Sequence, residues 1–140
     1  MPHVIIEHSA NVSELVDVRD LVAAVHEAAL ATGIAAVDAL RTRAASRDMY
    51  EIGDGHHDNA FVAVTARLGA GRTDDEKRRL IDALMDAVET TLGDEKMRVM
   101  LSVEYQDIDP ALRRNENQLR PVIAGRLASD DDKGSDADGR

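Results

Sequence analysis

Residues 59–105, NAFVAVTARLGAGRTDDEKRRLIDALMDAVETTLGDEKMRVMLSVEY, contain the pattern that decides the fold. The segment begins with a predicted strand, NAFVAVTARL, which is followed by the turn GAGR. A long stretch with apolar residues at helical spacing comes next, and the segment ends in a second predicted strand, KMRVMLSVEY. This order predicts a right-handed β-α-β unit in which the two strands are parallel.

The helix of this segment has clear signals at both ends. Thr73 and Glu76 have the spacing of a capping box, and Gly93 stands where the helix should terminate. An apolar stripe between them predicts the face that packs on the core. The stripe consists of Leu80, Ile81, Leu84, Met85 and Val88.

The preceding part of the chain repeats the same order. PHVIIEH predicts a strand, DVRDLVAAVHEAALATG predicts a helix that Asp17 caps, and ALRTRAASRDMYEI predicts a second strand. We therefore predict an α+β fold made of two β-α-β units, residues 2–58 and 59–109, which form one four-stranded sheet with two helices on one face. The predicted strands are apolar on both sides, and the helices cover only one of them. Because an uncovered apolar face favours association, we predict an obligate oligomer.

The carboxy-terminal part differs from both units. Asp109 and Pro110 predict a helical turn at the start of a segment covering residues 110–127. Residues 128–140 are acidic and contain glycine, so we expect a disordered tail after a domain that covers residues 1–127.

Composition excludes several classes of function. The 140 residues carry a formal net charge of −10 and only 2% aromatic residues, which argues against nucleic-acid and membrane partners. The absence of cysteine excludes disulfides and thiolate chemistry. The amino terminus has no signal-peptide pattern, so the cytoplasm is the expected location.

Several motifs together resemble one enzyme family. PHVIIEHSAN, ATGI, LRTR, DGHHDNAFVAVT, LGAGRT and LSVEYQDIDPALRRN occur in this order between Pro2 and about Asn115. They resemble the 5-carboxymethyl-2-hydroxymuconate delta-isomerase family of the 4-oxalocrotonate tautomerase superfamily. The resemblance implies a homotrimer with its sheets packed inside, and an isomerase that uses no metal or organic cofactor. It also implies a small carboxylate substrate from the bacterial breakdown of homoprotocatechuate.

The resemblance assigns three residues to the site. Pro2 is the expected catalytic base and acid, and Arg41 and Arg72 are expected to bind substrate carboxylates. Removal of Met1 would make the Pro2 nitrogen a free secondary amine, whose pKa burial and nearby cations would lower. A neutral amine near pH 7 is a competent base, and a guanidinium can hold a carboxylate with two hydrogen bonds. The second half has no counterpart of Pro2, so we expect one site per subunit, with Arg72 reaching Pro2 within a subunit or across a subunit boundary.

Each of these residues also has an ordinary structural interpretation. Pro2 fits the first position of a strand, and Arg41 alternating with Arg43 fits a solvated strand face. Arg72 fits an ordinary turn residue, and Arg98, which is pseudo-symmetric to Arg41, is interpreted as structural or interfacial.

The motif DGHHD could suggest a metal, but we interpret it as a turn, since adjacent loop residues rarely converge on one ion. The alternative functions are another tautomerase or a hydratase on the same scaffold, and a non-catalytic trimeric binding module.

Overall fold

The computed structural model describes residues 1–135, which form an α+β fold. Three short 3₁₀ turns lie between the main elements, at Ala10–Glu14, Gly93–Arg98 and Pro110–Leu112. The main elements are β1 (His3–Ser9), α1 (Val18–Ala31), β2 (Arg41–Arg47), β3 (Ala60–Gly69), α2 (Asp74–Leu92), β4 (Val99–Ile108) and α3 (Leu119–Ser135).

Local sequence signals fix where helices α1 and α2 begin. The Thr73 side chain accepts a hydrogen bond from the Glu76 amide at 3.2 Å, and the Glu76 carboxylate accepts one from the Thr73 amide at 2.9 Å. This reciprocal pair confirms the predicted capping box of α2. Asp17 caps α1 in the simpler way, by accepting a hydrogen bond from the Arg19 amide at 2.9 Å.

The four strands form one sheet in the order β2-β1-β3-β4. Strands β1 and β2 are parallel, and so are β3 and β4, while β1 and β3 run antiparallel. Each parallel pair is joined by one helix, which confirms the two β-α-β units predicted from the sequence. The antiparallel seam places the start of β1 beside the end of β3, with His3 opposite Arg67.

The core lies between the sheet and helices α1 and α2, which pack on one face of the sheet. Val4 and Ile6 of β1, Leu21 of α1, Val64 of β3 and Leu84 of α2 are all less than 2% exposed. Aliphatic side chains fill this layer, as expected from a sequence that has few aromatic residues.

The expectation that the strands are apolar on both sides is wrong for the face of the sheet that the helices leave uncovered. Buried and more exposed residues alternate along β1 and β3, which is the pattern of a sheet with one covered face. The uncovered face combines a few large apolar side chains with many charged ones. Its members include Ile5, Glu7, Arg43, Phe61, Arg67, Met100 and Glu104.

Helix α3 also differs from the expected carboxy-terminal organisation. The predicted turn is present, because the Asp109 side chain accepts a hydrogen bond from the Ala111 amide at 2.9 Å. The helix, however, continues through Ser135, where the sequence predicts disorder from residue 128. Once a helix has formed, each added residue costs little, so polar composition alone does not end it. The rest of the predicted tail, residues 136–140, lies outside the described residues.

Candidate active site

The amino terminus lies at one end of the sheet, where both halves of the chain meet. Pro2 immediately precedes β1 and is buried, and its carbonyl accepts a hydrogen bond from the Arg41 amide at 3.2 Å. The antiparallel pairing with β3 brings the end of that strand, Leu68 and Gly69, to the same place. The GAGR turn therefore lies beside the first residues of the chain.

Arg72 is fixed by two backbone carbonyls. Its guanidinium donates hydrogen bonds to the Gly69 carbonyl at 2.8 Å and to the Ile34 carbonyl at 3.1 Å. These bonds tie the turn before α2 to the loop after α1. Glycine at position 71 permits this turn, because its φ is +117°.

Arg41 lies on the opposite side of the amino terminus, at the start of β2. Its Nη2 atom is 3.3 Å from the His3 Nε2 atom, while Arg43 Nη1 is 3.2 Å from His3 Nδ1. Partial burial and then the charges of Arg41, Arg43 and Arg67 lower the pKa of His3. A neutral imidazole is therefore favoured between these cations.

The terminal amine experiences the field of several guanidinium groups of its own chain. Partial burial, followed by the charges of Arg113, Arg41, Arg72 and Arg120, lowers the pKa of the Met1 amine. The structure thus brings Pro2, Arg41 and Arg72 together within one subunit.

Met1 lines a cavity of about 330 Å³ beside Pro2. The loop before β2 forms one wall, and the first turn of α3 forms another through Leu119 and Ile123. Two contacts with Asp38 attach α3 here. The Asn117 side chain donates to the Asp38 carbonyl at 2.7 Å, and Arg120 Nε lies 3.1 Å from the Asp38 carboxylate.

Two residues near the site carried no functional assignment from the sequence, although both occur in the motif LSVEYQDIDPALRRN. The Tyr105 hydroxyl is buried beside the Arg72 guanidinium without a hydrogen bond of standard geometry. Burial raises the pKa of Tyr105, so the hydroxyl keeps its proton. Arg113 lies against Gly69 and contributes the largest charge effect on the terminal amine. Periodicity places Tyr105 on the core face of β4, but nothing local indicates that Arg113 folds back onto Gly69.

Two other features, a second cavity and the DGHHD motif, do not place a base beside an anion-binding group. A larger cavity of about 720 Å³ lies between the start of α1 and Ala44 of β2, and its charged lining residues are Asp17, which caps α1, and Arg19.

The DGHHD motif forms the second of these features. Contrary to the sequence argument, ligand atoms of His56, His57 and Asp58 lie within 4.8 Å of one another. All three residues are exposed, and His56 Nδ1 already accepts a hydrogen bond from the Asp58 amide at 3.1 Å. These contacts fit the interpretation of the motif as a turn.

Comparison with known proteins identifies the family of the chain. A family model described as 5-carboxymethyl-2-hydroxymuconate isomerase matches residues 2–123. The chain is 32% identical over 125 residues to the 5-carboxymethyl-2-hydroxymuconate Delta-isomerase of Escherichia coli. The aligned region covers 88% of this chain and 99% of that protein. The chain belongs to the 5-carboxymethyl-2-hydroxymuconate isomerase family. It is accordingly an isomerase-type enzyme with a tautomerase fold.

Solved structures from this family and from other proteins share the fold. A 5-carboxymethyl-2-hydroxymuconate isomerase from Deinococcus radiodurans R1 superposes with a TM-score of 0.80 at 26% identity, over 87% of this chain and 93% of that one. A fused 4-OT described as a symmetric trimer gives a TM-score of 0.65 at 24% identity, over 88% and 98% of the two chains. Within residues 1–135, no helix has the length and apolar character needed to cross a membrane.

Proposed function

We propose that this isomerase converts 5-carboxymethyl-2-hydroxymuconate to its conjugated keto isomer, with the amine of Pro2 moving the proton. The observation that carries this function is the position of the amino terminus, which lies beside Arg41 in the field of several guanidinium groups that lower the pKa of its amine. When Met1 is removed, the amine moves one residue inward, to a position that is already buried. Both burial and the nearby cations favour its neutral form.

The reaction needs only one group that accepts and returns a proton. The neutral nitrogen of Pro2 takes the proton of the 2-hydroxyl, and the electron pairs of the dienol shift to leave a carbonyl at that carbon. The ammonium form then protonates the distant carbon of the diene, so the product is an isomer and no oxidant is consumed. Negative charge develops on the dienolate oxygen between these steps, where the arginines stabilise it.

Arg41 and Arg72 have complementary positions for holding the substrate. Arg41 is attached through its backbone to Pro2, and Arg72 is oriented by the Gly69 and Ile34 carbonyls. Each guanidinium keeps further N–H groups for a carboxylate, because two bonds use only part of the five available. Fixing the substrate at two ends would hold its hydroxyl against the amine.

The proposed function includes a cytoplasmic homotrimer that serves homoprotocatechuate catabolism, without nucleic-acid or membrane partners. The support for a trimer is the description of fold relatives as trimers, together with the mixed apolar and charged face that one subunit leaves uncovered.

The test compares the protein with a native amino terminus to Pro2→Ala, after mass spectrometry has established that Met1 is absent from both. Pro2→Ala replaces the ring nitrogen with a primary amine whose lone pair has no fixed direction, so kcat should fall by up to about 10²- to 10⁴-fold, which is the contribution of a well-placed general base. Arg78→Ala is the control, because its exposed side chain pairs with Asp75 of the same helix. A Pro2→Ala protein that ketonises the hydroxymuconate at the parental rate would exclude the mechanism. Activity on phenylenolpyruvate alone would favour a different tautomerase.

A further inference from the structure

Arg113 is held over the turn that carries Arg72. The reversal after β4 is fixed at Asp109, whose side chain accepts from the Ala111 amide at 2.9 Å and whose carbonyl accepts from the Leu112 amide at 3.1 Å. A Cβ atom at Gly69 would lie 3.1 Å from Arg113 Nη2 and 3.4 Å from its Cζ atom. The guanidinium therefore packs against a backbone position that glycine leaves open.

Arg72 and Arg113 consequently share Gly69 as a common support. Arg72 donates to the Gly69 carbonyl at 2.8 Å, while Arg113 contacts the α-carbon side of the same residue. Arg41, at the start of β2, lines the same cavity as Met1. These three guanidiniums, together with that of Arg120, are the charges that act on the terminal amine.

None of these three guanidiniums has a carboxylate partner among residues 1–135. Other arginines of this acidic chain do have one. Arg47 lies 2.9 Å from Glu7, and Arg120 lies 3.1 Å from Asp38. Asp38 and Glu116 also line the cavity beside Met1, but Asp38 is paired with Arg120, so three cations without a salt-bridge partner are left to attract carboxylates.

We infer that Arg113 binds the carboxylate of the substrate's carboxymethyl arm. This assignment rests on the proposed function. A muconate has two carboxylates, and the carboxymethyl group adds a third, whereas Arg41 and Arg72 account for only two. Arg113 therefore supplies the missing partner.

The arm is the carboxylate that suits Arg113 best. The two muconate carboxylates are conjugated with the diene and lie close to its plane. The third is attached through a tetrahedral carbon and can turn out of that plane. Arg113 is exposed at the rim of the site, while Arg72 is half-buried further in, so the flexible arm matches the outer cation.

The test measures steady-state kinetics with two substrates, 5-carboxymethyl-2-hydroxymuconate and 2-hydroxymuconate, which lacks the arm. Assays are run at a pH where the amine is neutral in every variant. Arg113→Gln should lower kcat/KM for the tricarboxylate about 10- to 100-fold, as expected for loss of a charge-assisted bond. The loss should arise mainly in KM. The loss for 2-hydroxymuconate should be much smaller, because that substrate is affected only through the amine, and Arg113→Lys should be intermediate. Arg114→Gln, an exposed neighbour, is the matched control.

Equal losses on both substrates, or no loss on either, would overturn the assignment. If the unmodified protein isomerises neither substrate, the proposed function fails but the Arg113 site is still testable. Calorimetry that compares the affinities of muconate and its carboxymethyl derivative then tests whether Arg113 binds the arm. The parent should bind the tricarboxylate more tightly and Arg113→Gln should lose that preference, whereas an unchanged preference would reject the site. Thermal unfolding establishes whether Arg113→Gln is folded. If Arg113→Gln does not fold, the same measurements are made with Arg113→Lys, which keeps the charge.

Discussion

The amide of Arg41 donates a 3.2 Å hydrogen bond to the carbonyl of Pro2, so the proposed base and a proposed carboxylate ligand are joined through their backbones. The parallel pairing of β1 and β2 begins at the next step, with His3 beside Arg41. Their relative position is therefore set by the sheet register and does not depend on a side-chain rotamer. This relationship explains how an amino terminus, which usually frays, can serve as part of a site.

Removing the Arg41 guanidinium should impair substrate binding without unfolding the protein. Arg41→Gln keeps the backbone hydrogen bond to Pro2 but loses a charged ligand, so kcat/KM should fall about 10- to 100-fold. The melting temperature should change little, because the side chain is exposed. Arg47→Gln on the same strand is the control, since its partner is Glu7. Equal effects of the two substitutions on kcat/KM would contradict a specific role for Arg41.

The start of α2 should be important for stability as well as for the placement of Arg72. Thr73→Ala removes one side of the capping box and should lower the free energy of unfolding by about 1 kcal/mol. Chemical denaturation measures this change, and Thr90→Ala, at an exposed position inside the same helix, provides the comparison. A Thr73→Ala protein as stable as Thr90→Ala would show that the cap contributes nothing here.

Activity should increase with pH as the Pro2 amine loses its proton. Cations lower the pKa of this amine because they disfavour its charged form. Arg113 has the largest charge effect on the terminal amine, so Arg113→Gln should raise the amine's pKa and move the pH–rate midpoint to higher pH. Arg114→Gln should leave the midpoint where it is. A midpoint that moves to lower pH in Arg113→Gln would contradict this electrostatic account.

Most of the fold follows from local signals that the sequence displays. The Thr73–Glu76 capping box and the apolar spacing of α2 are short-range features, and the structure has both. The exposure of the second sheet face was less predictable. Alanine and valine fit either side of a strand, so alternation in β3 is weak in sequence although it is clear in burial.

The candidate site could also be predicted only in part from the sequence. Pro2, Arg41 and Arg72 could be proposed because they occur in motifs, and the structure places all three at one end of the sheet. Arg113 approaches Gly69 only after the chain reverses at Asp109, which is a tertiary contact between distant positions. No local periodicity indicates such a contact.

The most direct test of the central claim is a pH titration of the ¹⁵N resonance of Pro2 in protein that lacks Met1. The nitrogen should titrate with a pKa below that of the same proline in the unfolded chain, and this pKa should coincide with the midpoint of the pH–rate profile. A pKa equal to the unfolded value, or a fully active protein that retains Met1, would contradict the account.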